Sequence, residues 1–221
     1  MEALLDAVEV RVLGALIEKE ITTPEHYPLT LNGLTTACNQ KSNRHPVVAF
    51  DDKTVVRALE SLRDKGLARQ LSGAEMRVPK HYHLFGEKFV LERPQVAALC
   101  VLMLRGPQTV GEIRGRSGRL HEFSSLQEVE CVLEELARRA EGEMVVQLPR
   151  QPGRKEPRYA HLLMGEPQIE EEEGEGPVDA AALEVRAENE RLATLEEQVQ
   201  SLALELAELR EEFARFKEQF E

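Results

Sequence analysis

The chain has 221 residues, 42% of them hydrophobic and 31% charged, enough for one or two small domains with cores of their own. Its net charge of -12 is uneven: residues 1–165 carry 23 Lys and Arg against 22 Asp and Glu, whereas residues 166–221 carry 5 against 18. The acidity therefore sits in the tail, and the near-neutral body is not excluded from binding a polyanion. Cys38, Cys100 and Cys131 stand singly in apolar helical contexts without a C-x-x-C pair, which predicts buried thiols in a reducing compartment. No stretch approaches the roughly 18 apolar residues of a membrane span, and the amino terminus lacks the basic start of a secretory signal, so the expectation is a cytoplasmic protein without a membrane partner.

Asp6-x-x-Glu9 predicts a capped first helix with Val10, Leu13, Leu16 and Ile17 on one face. Two prolines in Thr22 to Pro28 forbid its continuation and predict an ordered turn, after which a short helix opens near Thr30 with Leu31, Leu34 and Cys38 inward. A polar connection, Asn39 to Phe50, leads to Asp51, the expected cap of a third helix whose Val55, Leu59 and Leu62 face the core until Gly66. Strands are expected near Leu67 to Leu71 and Arg77 to His83 around a turn at Ser72-Gly73.

The pattern then recurs. Arg93-Pro94 opens a helix with Val96, Leu99, Leu102 and Met103 as its stripe, and Thr109-x-x-Glu112 and Ser125-x-x-Glu128 are capping boxes for two more helices. Strands near Met144 to Leu148 and Arg158 to Leu163 close the second copy around a turn, Pro149 to Pro157, that carries Arg150, Arg154 and Lys155. Leu59 and Leu62 correspond to Leu133 and Leu136, and Tyr82-His83-Leu84 to Tyr159-Ala160-His161-Leu162, at offsets of 74 to 77 residues. Three helices followed by a two-stranded ribbon, twice, is the order of a winged helix. The expected fold class is mainly α with small β wings, an α+β arrangement: a first winged-helix domain at 1–86, a second at 87–164, an acidic flexible linker at 165–180 and a coiled-coil helix at 181–221.

In that last segment Leu192, Leu195, Val199, Leu202, Leu206, Leu209, Phe213, Phe216 and Phe220 alternate steps of three and four, a heptad seam. With Leu192 at position a, the g residues Arg191, Gln198, Glu205 and Glu212 face Glu196, Ala203, Arg210 and Lys217 in a parallel pair, three attractive and none repulsive. A parallel coiled-coil homodimer is the expectation, with folding back onto the body as the alternative.

The runs Ile21-Thr22-Thr23-Pro24-Glu25-His26-Tyr27-Pro28-Leu29-Thr30-Leu31-Asn32 and Ala37-Cys38-Asn39-Gln40-Lys41-Ser42-Asn43-Arg44, with Leu104 to Thr109 and Arg158 to Leu162, resemble a family of bacterial proteins typified by YceH. The resemblance covers about residues 3 to 164. It implies two tandem winged helices and brings no substrate, reaction, cofactor or site residues to transfer.

In helix-turn-helix proteins the third helix enters the major groove, so its outward side chains must offer donors without repelling phosphate. Outward on the first copy are Lys53, Arg57, Glu60, Ser61 and Asp64, with Arg69, Arg77 and Lys80 in the ribbon, whereas outward on the second are Gln127, Glu128, Glu130, Glu134 and Glu135, with compensation only from Arg138 and Arg139 at the end. Two readings of Asn39, Gln40, Lys41, Ser42, Asn43 and Arg44 stand side by side: a recognition element for base edges and phosphates, or an ordered loop whose side chains satisfy local backbone. Arg114, Arg116 and Arg119 form a further basic patch. His81 and His83 share a strand face without a Cys or acidic companion at ligand spacing, and no phosphate-binding loop or nucleophile motif occurs, so no metal, cofactor or catalytic residue is expected. The expected function is non-enzymatic: a dimeric nucleic-acid-binding or transcription-regulatory protein acting on double-stranded DNA, with a structural adaptor that binds another protein as the alternative.

Overall fold

The computed structural model describes residues 4–72, 78–150 and 156–167. The linker beyond residue 167, the heptad seam, the Ser72-Gly73 turn beyond Ser72, and Arg77, Arg154 and Lys155 lie outside the described residues.

Helix α1 (Ala7–Thr22) opens on the expected capping box: the Asp6 carboxylate accepts from Glu9 N at 2.8 Å and Glu9 accepts from Asp6 N at 2.7 Å. A 3-10 turn (Pro24–His26) and a two-residue strand β1 (Leu29–Thr30) follow. Thr30 then caps α2 (Leu31–Cys38), its hydroxyl accepting from Gly33 N. Asp51 caps α3 (Asp52–Asp64) through Thr54 N at 2.8 Å. Strands β2 (Ala68–Leu71) and β3 (Lys80–His83) complete an antiparallel sheet in the order β1-β3-β2. Neither β1 nor the short helix α4 (Phe85–Phe89) is expected from sequence, since each is too brief to establish a period.

The second copy comprises α5 (Arg93–Arg105), α6 (Val110–Arg116), α7 (Leu126–Ala137), β4 (Val145–Gln147) and β5 (Tyr159–His161). Its counterpart to β1 is reduced to one bridge, Gln108 with Tyr159, in which each amide donates to the other carbonyl at 3.0 and 2.7 Å. Thr109 and Glu112 form the expected box at α6. Ser125 caps α7, but Glu128 departs from the expected reciprocal contact: its carboxylate accepts from Ser124 N and Ser124 Oγ at 2.7 and 2.6 Å, one residue before the cap.

The described residues pack as one compact unit around a single continuous core. The sequence predicts one apolar face on α1. In fact every residue from Glu9 to Lys19 is buried, because α2 and α3 cover one side and α5 the other. Gly14 permits that second contact: a Cβ there would lie 2.9 Å from Leu104 Cδ2 and 3.3 Å from Met103 Cβ. From the opposing helix the Cys100 thiol approaches the Gly14 carbonyl at 3.5 Å. Cys38 and Cys100 are buried as expected, but Cys131 is exposed, because Val129, Val132, Leu133 and Leu136 turn the opposite face of α7 to the core. Among the described residues no helix is long and apolar enough to cross a membrane.

Candidate nucleic-acid interface

The loop between α2 and α3 is built from its own polar side chains. Asn39 straps it through both backbone groups of one residue, donating from Nδ2 to Phe50 O at 2.8 Å and accepting from Phe50 N at 2.7 Å. Arg11, on buried α1, donates to Cys38 O and Pro46 O at 3.1 and 2.6 Å. His45 N donates to Leu104 O at 2.8 Å, tying the loop to the carboxyl end of α5, where Arg105 also donates to Asn43 Oδ1.

Arg44 is the centre of this arrangement. Its guanidinium is buried and donates to both oxygens of Glu18, to Ala37 O at 3.0 and 3.2 Å, to Asn43 O at 3.0 Å and to Gln40 Oε1 at 2.7 Å. Burial opposes ionisation of the Glu18 carboxyl, yet the charge and hydrogen bonds of Arg44, with Lys19 and Arg105 nearby, outweigh it and hold that carboxyl below the usual glutamate range. Arg44 therefore cannot present its guanidinium to a phosphate or base, and the expectation that it belongs to a recognition surface is corrected. Gln40 is buried with it, while Asn39 and Asn43 spend their amide groups on Phe50 and Arg105. Of the six-residue run only Lys41 is fully exposed, with Ser42 half-buried, so the structure gives Asn39, Gln40, Asn43 and Arg44 the loop-building role.

In the first copy, the expected cations that do face outward lie in this loop, on α3 and on the ribbon. Lys53 and Arg57, one turn apart on α3, are exposed, as are Lys41 and Arg69, and Lys80 is half-exposed. Among the described residues none of these five makes a hydrogen bond or an ion pair within 4 Å. The amino end of α3 is acidic, with Asp51 and Asp52 exposed; Asp52 accepts from Thr35 Oγ1 at 2.7 Å.

The strand alternation sorts the ribbon into two faces. Ala68, His81 and His83 are buried on the inner one, while Arg69 is paired with Tyr82 and Leu71 with Lys80 on the outer one. His83 is structural: its Nδ1 accepts from Phe85 N at 3.2 Å, its Nε2 lies 2.9 Å from Glu20 Oε2, and its amide donates to Tyr27 Oη. Burial, with Arg63 nearby, pushes the His81 imidazole below its usual range. Tyr82 is the outward residue that sequence reasoning passed over, having treated it only as part of the repeat. The period-two pattern Lys80-His81-Tyr82-His83 would have placed it opposite the two histidines.

The second copy presents a different surface. Gln127, Glu130, Glu134 and Glu135 are exposed on α7, and Arg138 at its end pairs with Glu134 at 3.5 Å. Arg114 donates to Phe123 O and Ser124 O, while Arg116 donates to Gln108 and lies 3.6 Å from Glu112. Arg114 thus braces the turn after α6, and Arg116 ties the end of α6 back to its start. Among the described residues no group of three or more His, Cys, Asp or Glu side chains could hold a metal ion.

Residues 5–154 match the family described as "Protein of unknown function, DUF480". The chain is 58% identical to a UPF0502 protein of Geobacter metallireducens and 51% identical to one of Solibacter usitatus, each over the whole length of both chains. It is 57% identical to a UPF0502 protein of Opitutus terrae over 73% of this chain and 70% of that one.

Proposed function

The chain belongs to the DUF480 family, and we propose that its body is a tandem winged-helix unit that binds double-stranded DNA through α3 of the first copy, as a regulatory rather than an enzymatic protein. The fold reading rests on the repeated order of helix, bridging strand, Thr-capped helix, capped helix and ribbon. The functional reading rests on one observation: Lys53 and Arg57 stand exposed on α3 without a hydrogen bond or ion pair among the described residues, in a body of nearly balanced charge. Cations without an ion pair among the described residues are available to phosphate, even with the Asp51 carboxylate within electrostatic reach of both, and each one that displaces a counterion contributes to a salt-dependent affinity. The heptad seam from Leu192 to Phe220 supports a parallel homodimer, which would place two such bodies on one duplex.

Titrating the full chain against mixed-sequence duplex over a range of salt concentrations tests this reading. Lys53→Ala with Arg57→Ala should weaken binding and reduce the salt slope by about 0.9 for each phosphate that is no longer neutralised. An unchanged slope and affinity in the double variant would reject α3 as the DNA-binding element. Light scattering of the full chain, and of one ending at Gly165, tests the dimer. The exposed Asp51 and Asp52 at the tip of α3 and the glutamates of α7 favour a second reading, an adaptor that docks a basic protein segment. Under it, duplex binding is absent while the folded body captures a cationic peptide.

A further inference from the structure

We infer that the outer face of the β2–β3 ribbon is a stacking platform for an unpaired DNA nucleotide beside the duplex. This inference rests on the nucleic-acid reading above. The chain has three tyrosines, and two of them have evident structural duties: Tyr27 Oη accepts from His83 N at 2.8 Å, and Tyr159 Oη accepts from Gln147 Nε2 at 3.1 Å. Tyr82 has none. Among the described residues its hydroxyl makes no hydrogen bond and its ring meets no other aromatic ring, although it sits half-exposed on the middle strand of the sheet.

Two cations flank that ring. Arg69 lies directly across the ladder, which puts its Cβ about 5 Å from that of Tyr82. Lys80 lies on the same strand two residues away, on the same face, about 7 Å along it. Both are without hydrogen bond or ion pair among the described residues. Leu71, opposite Lys80 and 38% exposed, extends the face with an apolar surface. An aromatic ring between cations on a rigid sheet is the arrangement that binds single-stranded nucleic acid: the π-face takes a base of any identity and the cations take the phosphates on either side. A base held in a duplex cannot reach such a ring, so the platform discriminates for the unpaired strand. With α3 on the duplex and the ribbon on a frayed or extended strand, the first copy favours a duplex end or junction over continuous duplex.

Fluorescence anisotropy of the full chain should be compared on a blunt duplex and on the same duplex with a single-stranded extension, carrying 2-aminopurine at the first unpaired position. The wild type is expected to favour the extended duplex on the order of fivefold or more, with a change in 2-aminopurine emission on binding. Tyr82→Leu should lose the preference and the emission change while keeping its affinity for blunt duplex, and Tyr82→Phe should keep both. Arg69→Ala, with the ring intact, should weaken the extended substrate more than the blunt duplex and keeps the test alive if Tyr82→Leu does not fold. Equal wild-type affinity for the two DNAs, or a preference that survives Tyr82→Leu, overturns the platform while leaving duplex binding standing. Failure to bind either DNA overturns both readings.

Discussion

Arg44 and Glu18 face each other in the interior, Nη1 to Oε1 at 2.9 Å with Nη2 on the second oxygen, and join the loop after α2 to the carboxyl-terminal half of the protein's central helix. The sequence separates them by 26 residues. Because Arg44 also draws in the Ala37 and Asn43 carbonyls and Gln40, the pair fixes the path of the chain from α2 toward α3.

Removing one partner leaves the other charge buried without compensation. Arg44→Ala should destabilise the protein by about 3–5 kcal/mol, whereas replacing both partners with apolar residues of matched volume, Arg44→Met with Glu18→Leu, should recover much of the loss. Urea denaturation decides it. A midpoint unchanged in Arg44→Ala would mean that the pair contributes little. Any loss of DNA binding in this variant should follow the fraction unfolded, since the guanidinium has no path to the surface.

Stability should fall in two stages on acidification. Burial pushes the His161 imidazole down to about 4 from an ordinary value of 6.5, and its Nδ1 has no hydrogen-bond partner among the described residues. Between those values the unfolded chain binds a proton that the folded protein refuses, so stability is complete above pH 6.5 and declines toward pH 4. His81 contributes with the same sign. The lowered carboxyls Glu9 and Glu18 act in the next window: what they contribute is present above the ordinary 4.5 and is lost as pH falls through their depressed values. His161→Phe should flatten the first decline and spare the second. Urea midpoints measured from neutral to acidic pH test this, and an undiminished first slope in the variant would count against His161.

The contact between α1 and α5 depends on the missing side chain at Gly14. With Leu104 Cδ2 at 2.9 Å and Met103 Cβ at 3.3 Å from a built Cβ, Gly14→Ala must displace the Leu104 side chain, and Gly14→Val must also move the helices apart. Overpacking of this kind costs about 1–3 kcal/mol, more for valine than for alanine. Thermal unfolding of both variants is the check. Since a helical Gly→Ala change otherwise gains up to about 1 kcal/mol, a stabilised alanine variant would show that the interface yields.

The thiols should report folding. Cys131 is exposed on α7, whereas burial pushes the Cys38 thiol up to about 12 and raises that of Cys100 as well. A thiol reagent at mild alkaline pH should modify one cysteine quickly and the remaining two only on denaturation. Rapid modification of all three in the native protein would contradict the packing of α1 against α5.

Local chemistry determined much of this structure. The Asp6, Thr30, Asp51, Thr109 and Ser125 caps each satisfy an orphan amide within four residues, so the helix starts follow from adjacent side chains. Strand alternation and the internal repeat are likewise short-range or self-comparing signals, and the motifs from Ile21 to Arg44 carried the family resemblance. The exposure of Cys131 was available too, in the stripe of Val129, Val132, Leu133 and Leu136 that excludes it. Tertiary structure alone decided the fate of the polar run. Whether Arg44 meets water or Glu18 depends on a carboxylate one helix away and on α5 closing over it, and the residues surrounding Arg44 in sequence are the same in either case. The burial of α1 on every side has the same origin, because a helix's own period shows its most apolar face and not the second helix that covers the rest.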